Sequence, residues 1–157
     1  MSKIRCLLVV LTILLMSSLN ALSQNEQLFH SIETKNIQLF NESVITVTNY
    51  SITNNEGLTL LALCSKSGFL HGANYLIAEN VNVDEPSVNG LTPLMYASEN
   101  GYSQIVHLLL SHNANVHIND ANSMNALDHC SEAVWSNDTT AERNHSACFQ
   151  LLLERNN

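Results

Sequence analysis

The chain has 157 residues, of which 45% are hydrophobic and 13% are charged, so it can bury the core of one domain and lacks the composition of a disordered protein. Its formal net charge is −8, and it contains only six lysines and arginines. Binding to nucleic acid or to an anionic membrane requires a basic face, which so few cations cannot form. We therefore expect neither kind of partner.

The N-terminal segment, residues 1–23, has the layout of a secretory signal peptide. Two basic residues precede an apolar run at 6–16, and small residues at 21–23 suit a signal peptidase. The run is too short for an uncleaved anchor, which needs about 20 residues to cross a bilayer. We predict cleavage between Ser23 and Gln24, which removes two positive charges and changes the net charge from −8 to −10. The mature chain is then expected to be free of the membrane, in the periplasm of a bacterium or outside a eukaryotic cell.

The rest of the chain repeats itself every 33 residues. Four equally spaced leucines carry this register: Leu28, Leu61, Leu94 and Leu127. The segment GLTLLALCSKSGF, which begins at Gly57, aligns with GLTPLMYASENGY, which begins at Gly90. NVNV at 80–83 aligns with NANV at 113–116 in the same register. A register of this length predicts a protein built from stacked units.

The best-preserved unit predicts two short helices and a turn. Thr92 stands where a helix N-cap belongs, and Pro93 follows at the first helical position, where its missing N–H has no cost. Gly101 is placed to end this helix in the left-handed conformation. The apolar run at 105–110 predicts a second helix, and Asn113 allows it a left-handed end.

These residues resemble the ankyrin-repeat family, whose unit reads roughly G-x-T-P-L-H-x-A-A-x-x-G-H-x-E-I-V-x-L-L-L-x-x-G-A-D-V-N. Residues 90–117 fit this pattern nearly throughout, and 57–84 fit it with Leu60 in place of the proline. Residues 26–45 resemble a degenerate first unit without its glycines, and 123–157 resemble a last unit. The resemblance implies an all-α solenoid of about four helix-turn-helix units with hairpin-like turns, at about 26–56, 57–89, 90–122 and 123–157.

Two departures from the family pattern affect stability and shape. The histidine of T-P-L-H is absent from every unit, its position being held by Phe29, Ala62, Met95 and Asp128. Its hydrogen bonds between repeats must be replaced or missing, and we expect lower stability than that of a consensus repeat. In the last unit, aligning Leu151 with Leu108 requires ten extra residues near 135–146. Val134 stands at the position of Gly101 and resists a left-handed turn, so we predict a loop insertion in this terminal unit.

Motifs for catalysis and metal binding are missing from the sequence. It has no phosphate-binding glycine loop, nucleophile elbow, CxxC or HExxH. His107, His112 and His117 are five residues apart, a spacing that does not place them on one helical face. His129 and Cys130 are neighbours, which point about 100° apart on a helix and cannot readily pair for nucleophilic catalysis. We expect no enzymatic activity, no metal and no cofactor.

Three cysteines remain after the predicted cleavage. Cys64 and Cys130 occupy equivalent positions two units apart, roughly 20 Å if units are ~10 Å apart, whereas a disulfide allows ~7 Å between Cα atoms. Cys148 aligns with Ile105, on the second helix of the unit that contains Cys130. We predict a disulfide between Cys130 and Cys148, which an oxidising compartment permits. Two buried thiols are the alternative.

The family resemblance implies that a monomer binds another protein through the concave face made by the hairpin tips and the first helices. Leu58, Leu91 and Met124 stand one repeat apart, at a position on the ankyrin hairpin that varies with the partner. We expect them to form an apolar row that contacts the partner, and packing of one hairpin on the next is the alternative. The other expected contact residues are Asn55, Glu56, Val88, Asn89 and Asn122 at the hairpin tips, and Lys66, Glu99 and Asn100 near the ends of the first helices.

The identity of the protein partner stays open in the sequence. One alternative within binding is a secreted protein that is directed at a host or inhibits a toxin. The alternative from another class is a thiol-redox protein that uses Cys130 and Cys148.

Overall fold

The computed structural model describes residues 24–135 and 142–156, and this part of the chain forms eight α-helices. The predicted signal peptide lies outside the described residues, as do residues 136–141, which form half of the predicted insertion. The helices are α1 (24–33), α2 (Ile37–Val44), α3 (Leu60–Ser67), α4 (Leu70–Ala78), α5 (Pro93–Glu99), α6 (Ser103–Ser111), α7 (Ala126–Trp135) and α8 (Glu142–Asn156).

The helices lie in two layers that together form the predicted all-α solenoid. In the first layer, α3 packs on α5 and α5 packs on α7. In the second layer, α2 contacts α4, α4 contacts α6, and α6 contacts α8. First-layer helices contact one another more extensively than second-layer helices do. The core between the layers is apolar, and its fully buried side chains include Leu28, Ile32, Phe40, Leu61, Leu76, Leu94, Ile105, Leu109 and Leu152.

Polar side chains begin the first-layer helices at equivalent positions. The Thr59 hydroxyl accepts a hydrogen bond from the Ala62 N–H at 3.2 Å, and the Thr92 hydroxyl accepts one from the Met95 N–H at 3.3 Å. At the next equivalent position the amide oxygen of Asn125 accepts from two backbone N–H groups. These bonds satisfy N–H groups that have no partner inside the helix, and they confirm Thr92 as the N-cap before Pro93.

Two side chains at the position of the missing T-P-L-H histidine form hydrogen bonds within their own unit. The sulfur of Met95 accepts a hydrogen bond from the Thr92 N–H at 3.4 Å. In the following unit, a carboxylate oxygen of Asp128 accepts from the Asn125 N–H at 3.0 Å. The start of each of these helices is therefore bonded in both directions, and neither bond links one unit to the next.

The turns keep the period of the repeat even where glycine is missing. Each first-layer helix of the first three units is followed by a residue with positive φ: Lys35 (53°), Gly68 (74°) and Gly101 (69°). Each hairpin tip carries another: Gly57 (74°), Gly90 (80°) and Ser123 (64°). Asn113 ends its helix at φ 62°, as predicted, and the equivalent Asn80 does so at 60°. Lys35 and Ser123 adopt the left-handed conformation despite their side chains, because the stacked neighbours fix the turn.

The last unit departs from the others at the end of its first helix. The end of α5 at Glu99 corresponds to Glu132, but α7 continues to Trp135. This extension agrees with the expectation that Val134 cannot end the helix as Gly101 does. The second helix, α8, packs against both α7 and α6, so the terminal unit is attached to the stack through both of its helices.

Candidate functional site

We define the concave face as the hairpin tips (53–57, 86–90 and 119–123) with the exposed ends of the first-layer helices. The three hairpins are built alike: the N–H groups of Asn54, Ser87 and Asp120 donate to the carbonyl oxygens of Leu58, Leu91 and Met124. The first two hairpins are also joined, since the Val88 N–H donates to the Gly57 carbonyl oxygen at 3.0 Å. The shared closing bonds give the three hairpins the same local geometry at a regular spacing along the chain.

Most of the contact residues expected from the sequence are exposed on this face. Val88 is 80% exposed, an unusual exposure for a branched aliphatic side chain. The polar members that are exposed are Asn55, Glu56, Lys66, Asn89, Glu99, Asn100 and Asn122. This distribution leaves one large apolar side chain in a polar surround, which is the common anatomy of a small protein interface.

The predicted apolar row does not exist as an accessible surface. Leu58 is only 2% exposed and belongs to the core, so its assignment as a contact residue is wrong. Leu91 and Met124 are half-buried, and Leu91 packs against the core. The row points inward because each of its members immediately precedes a helix N-cap, where the chain turns from the hairpin into the core. Only Leu91 and Met124 keep partial access to a partner.

Charge on the concave face is predominantly negative. Glu33, Lys66, Glu99 and Glu132 are exposed and stand at equivalent positions of the four successive units. The one cation among them is paired, since the Lys66 ammonium lies 3.0 Å from a carboxylate oxygen of Glu56. That hydrogen bond is the main cause that raises the pKa of Lys66, so the lysine stays charged. Because both side chains are largely exposed, we expect little stabilisation from this pair.

A groove lies at the N-terminal end of the concave face, and the sequence analysis did not predict it. Its volume is about 390 Å³, and α1 lines one side through Glu26, Phe29, His30 and Glu33. The tip of the first hairpin, residues 53–56, lines the other side. The first unit resembles the family pattern only weakly, so repeat alignment gave no reason to assign contact residues to α1. Its exposed polar residues at 26, 30 and 33 were the available signal.

The base of each hairpin is held by a side chain at one equivalent position. The side-chain oxygens of Asn54 and Asp120 each accept two backbone N–H groups of their own turn. Asp120 also lies 3.2 Å from the imidazole Nε2 of His129. The backbone N–H of Met124 is the chief cause that lowers the pKa of Asp120, with smaller contributions from its other hydrogen bonds. This carboxylate therefore fixes the hairpin in its ionised form.

The equivalent position in the middle unit uses hydroxyl groups for the same purpose. The Tyr96 hydroxyl lies 3.1 Å from the Ser87 hydroxyl, which in turn donates to the Leu91 carbonyl oxygen at 3.1 Å. Tyr96 and His129 stand one repeat apart, so two successive units tie hairpin to helix at the same place with different chemistry. Sequence reasoning did not identify this link, since the residue types differ in every unit.

Cys64, Cys130 and Cys148, the cysteines within the described residues, are buried free thiols, so the predicted disulfide between Cys130 and Cys148 is not formed in this structure. Burial raises the pKa of Cys64, as expected of an inert core thiol. Cys130 on α7 and Cys148 on α8 are both fully buried, and the Cys130 thiol donates to the carbonyl oxygen of His145, one helical turn before Cys148, at 3.3 Å. The neighbouring Cys148 thiol is the main cause that lowers the pKa of Cys130, while the Cys130 thiol and burial raise the pKa of Cys148.

Within 24–135 and 142–156, no group of three or more His, Cys, Asp or Glu is arranged to hold a metal ion. No helix in the same part of the chain is both long and apolar enough to cross a bilayer. A shallow groove of about 450 Å³ lies on the second layer between α6 and α8, lined by Leu70, Ser103, Gln104, His107, Ala147, Gln150, Leu151 and Glu154.

Comparison with known families agrees with the repeated geometry. Residues 28–120 match the family model described as ankyrin repeats (3 copies). The match covers more than half of the chain and includes the first two hairpins and helices α2–α6. A comparison with curated protein sequences gives no significant match.

Proposed function

This chain belongs to the ankyrin-repeat family, and we propose that it is a non-enzymatic module that is exported and binds another protein through its concave face. Ankyrin repeats are in general protein-binding modules. The observation that carries the assignment to this face is Val88, which is 80% exposed at the centre of a rigid row of hairpins. A few residues near the centre of a protein interface usually carry most of its binding energy.

The rigidity of the concave face supports binding without a large loss of entropy. Each hairpin is closed by two backbone hydrogen bonds, and side chains at 54, 87 and 120 fix its base. A surface that is already ordered loses little conformational freedom when a partner docks. Its exposed carboxylates also attract cationic surfaces and repel polyanions, consistent with the expectation that nucleic acid is not the partner.

Export is the second part of the proposal and rests on the sequence of residues 1–23. The basic start, the short apolar run and the small residues before Gln24 are typical of a cleaved signal peptide. The mature protein then meets its partner in the periplasm or outside the cell. We further propose that it does so as a monomer.

The assignment is tested with two variants that introduce the same residue on opposite sides of the stack. Val88→Asp places a carboxylate on the concave face, and His107→Asp places one on the exposed surface of α6. Each immobilised protein is incubated with an extract from the compartment to which the protein is exported, and retained polypeptides are quantified by mass spectrometry. A polypeptide retained by the wild type and by His107→Asp, but at least ~10-fold less by Val88→Asp, supports the proposal.

The opposite pattern, in which His107→Asp loses a retained polypeptide and Val88→Asp keeps it, assigns binding to the second layer and contradicts the proposal. Circular dichroism of both variants must first show the helical content of the wild type. Because both positions are exposed, we expect each variant to fold with a stability change of at most about 0.5 kcal/mol.

A further inference from the structure

We infer that Cys130 and Cys148 form an intramolecular disulfide in the exported protein, and that this bond fastens the terminal helix α8 to the rest of the repeat stack. The inference extends the sequence-based pairing, because the structure gives a position and a consequence to the bond. It goes beyond the proposed binding function and does not depend on the identity of the partner.

The contacts around Cys130 place its sulfur directly at α8. Its Sγ lies 3.3 Å from the carbonyl oxygen of His145, which is one helical turn before Cys148 on the same helix. Both cysteines are 0% exposed, and α7, which carries Cys130, packs directly on α8, which carries Cys148. Cys64 is placed elsewhere, since it lies against Gly72 in an earlier unit.

The terminal unit is the part of the stack that has most to gain from a covalent link. Cys130 and Cys148 are 18 positions apart in the sequence, whereas the equivalent Ala97 and Ile105 of the preceding unit are 8 apart. A longer loop has more unfolded conformations to lose, and an end unit packs against a neighbour on one side only. The disulfide closes the loop between residues 130 and 148 and limits the unfolded conformations of that segment.

The oxidation needs a second disulfide as the oxidant. An oxidising compartment supplies it as a small-molecule disulfide or as the active-site disulfide of a thiol oxidase. The Cys130 thiolate attacks one sulfur of that disulfide, and the first leaving thiolate departs with an electron pair. Cys148 then loses its proton and attacks the Cys130 sulfur of the mixed disulfide, which releases the second thiolate. The protein loses two electrons and two protons, and the donor disulfide becomes two thiols.

Burial of both sulfurs predicts that this reaction waits for α8 to open. A reagent cannot reach Cys130 or Cys148 while α8 is packed on α7, so the first attack requires a local separation of the two helices. Once the bond has formed, the sulfurs are again shielded from reductant. The pair therefore behaves as a structural disulfide, in contrast to the exposed, rapidly cycling pair of a thiol-redox enzyme.

The test uses the mature full-length chain, reduced and then incubated with excess oxidised glutathione. Free thiols are alkylated in denaturant and counted by mass spectrometry, and non-reduced peptides are mapped. The expected product has one free thiol, at Cys64, and a peptide that links Cys130 to Cys148. Three free thiols, a link that involves Cys64, or stable glutathione adducts at 130 or 148 would each overturn the inference.

Matched variants separate the effect of the Cys130–Cys148 disulfide from other effects of oxidation. We expect the oxidised wild type and Cys64→Ser to melt roughly 10 °C above their reduced forms, and dithiothreitol to abolish the difference. Cys148→Ser should show no such shift. Hydrogen exchange of residues 142–156 should slow on oxidation while that of α3 does not change. Equal exchange of α8 in both redox forms would contradict the role in fastening this helix, even if the bond forms.

Discussion

Nε2 of His145 lies 2.9 Å from the carbonyl oxygen of Glu99, a hydrogen bond that joins α8 to the end of α5 in the preceding unit. A carbonyl oxygen only accepts, so Nε2 carries the proton of this bond. The imidazole is 4% exposed and covers Gly101, where a β-carbon would lie 2.8 Å from Cε1 of His145. With the ten-residue insertion removed, His145 aligns with Tyr102, whose ring covers Gly68 in the same way.

This contact predicts an energetic coupling between Gly101 and His145. We expect Gly101→Ala to lower the free energy of unfolding by about 2 kcal/mol, because its φ of 69° strains a side chain and because the new methyl displaces the imidazole. His145→Ala should cost about 1 to 3 kcal/mol, since it leaves the Glu99 carbonyl without this donor. In the double variant no imidazole is present to be displaced. Its loss of free energy of unfolding should therefore be at least ~1 kcal/mol smaller than the sum of the two single losses.

Urea unfolding of the two single variants and the double variant measures this coupling. His107→Ala is the control, since His107 is exposed on α6 and its replacement should change the free energy of unfolding by less than ~0.5 kcal/mol. Strict additivity of the Gly101 and His145 effects would contradict the packing of the imidazole over the glycine.

The link between Tyr96 and Ser87 predicts a cost for removing one hydroxyl group. Tyr96→Phe deletes the hydroxyl that lies 3.1 Å from the Ser87 oxygen, both in a buried environment. We expect a loss of about 1 kcal/mol in the free energy of unfolding, measured by urea denaturation. Replacing both residues, with Ser87→Ala, should cost less than the two single changes together because neither partner is then left without the other. A Tyr96→Phe variant as stable as the wild type would contradict the claim that this hydrogen bond stabilises the hairpin base.

Asp120 predicts a specific dependence of stability on pH. Its pKa is lowered in the folded state, so its contribution is fully present above the ordinary aspartate value of about 3.9 and is lost as the pH falls through the folded value. Asp120→Asn should keep the turn, since Asn54 makes the same two backbone hydrogen bonds at the equivalent position. The free energy of unfolding, measured from pH 7 to pH 3, should therefore fall less steeply in the variant. Parallel curves for the two proteins would show that Asp120 has no such role.

Processing of the leader is a separate prediction. N-terminal sequencing of the exported protein should begin at Gln24, because residues 21–23 provide the small side chains that a signal peptidase selects. Replacing Ala21 and Ser23 by bulky residues should leave the precursor uncleaved. An exported protein that retains Met1 in the membrane fraction would contradict the prediction.

The sequence was sufficient for the elements that depend on local chemistry. Thr92, Gly101 and Asn113 were each placed correctly, because a cap or a left-handed turn selects its residue type wherever it occurs. The repeat register extended these assignments to other units, and Lys35 and Ser123 show that the stack imposes the turn even without glycine.

Other features depend on contacts between units, which the register does not encode. Leu58 was assigned to the binding surface because its position lies on the ankyrin hairpin, but its side chain turns into the core. The link from His145 to Glu99 was hidden by the insertion, which shifts His145 out of alignment with Tyr102. The groove beside α1 was also missed, since a degenerate unit carries no motif that marks its exposed face.

The most direct test of binding through the concave face is site-specific photo-crosslinking in the cells that produce the protein. A photoreactive amino acid is placed at Asn89 on the middle hairpin, and in a separate variant at His107 on α6; both side chains are exposed. We predict a covalent adduct of discrete mass from position 89 and none from position 107, with the adduct from 89 reduced by a further Val88→Asp substitution. An adduct from position 107 alone would contradict the account and assign the interface to the second helical layer.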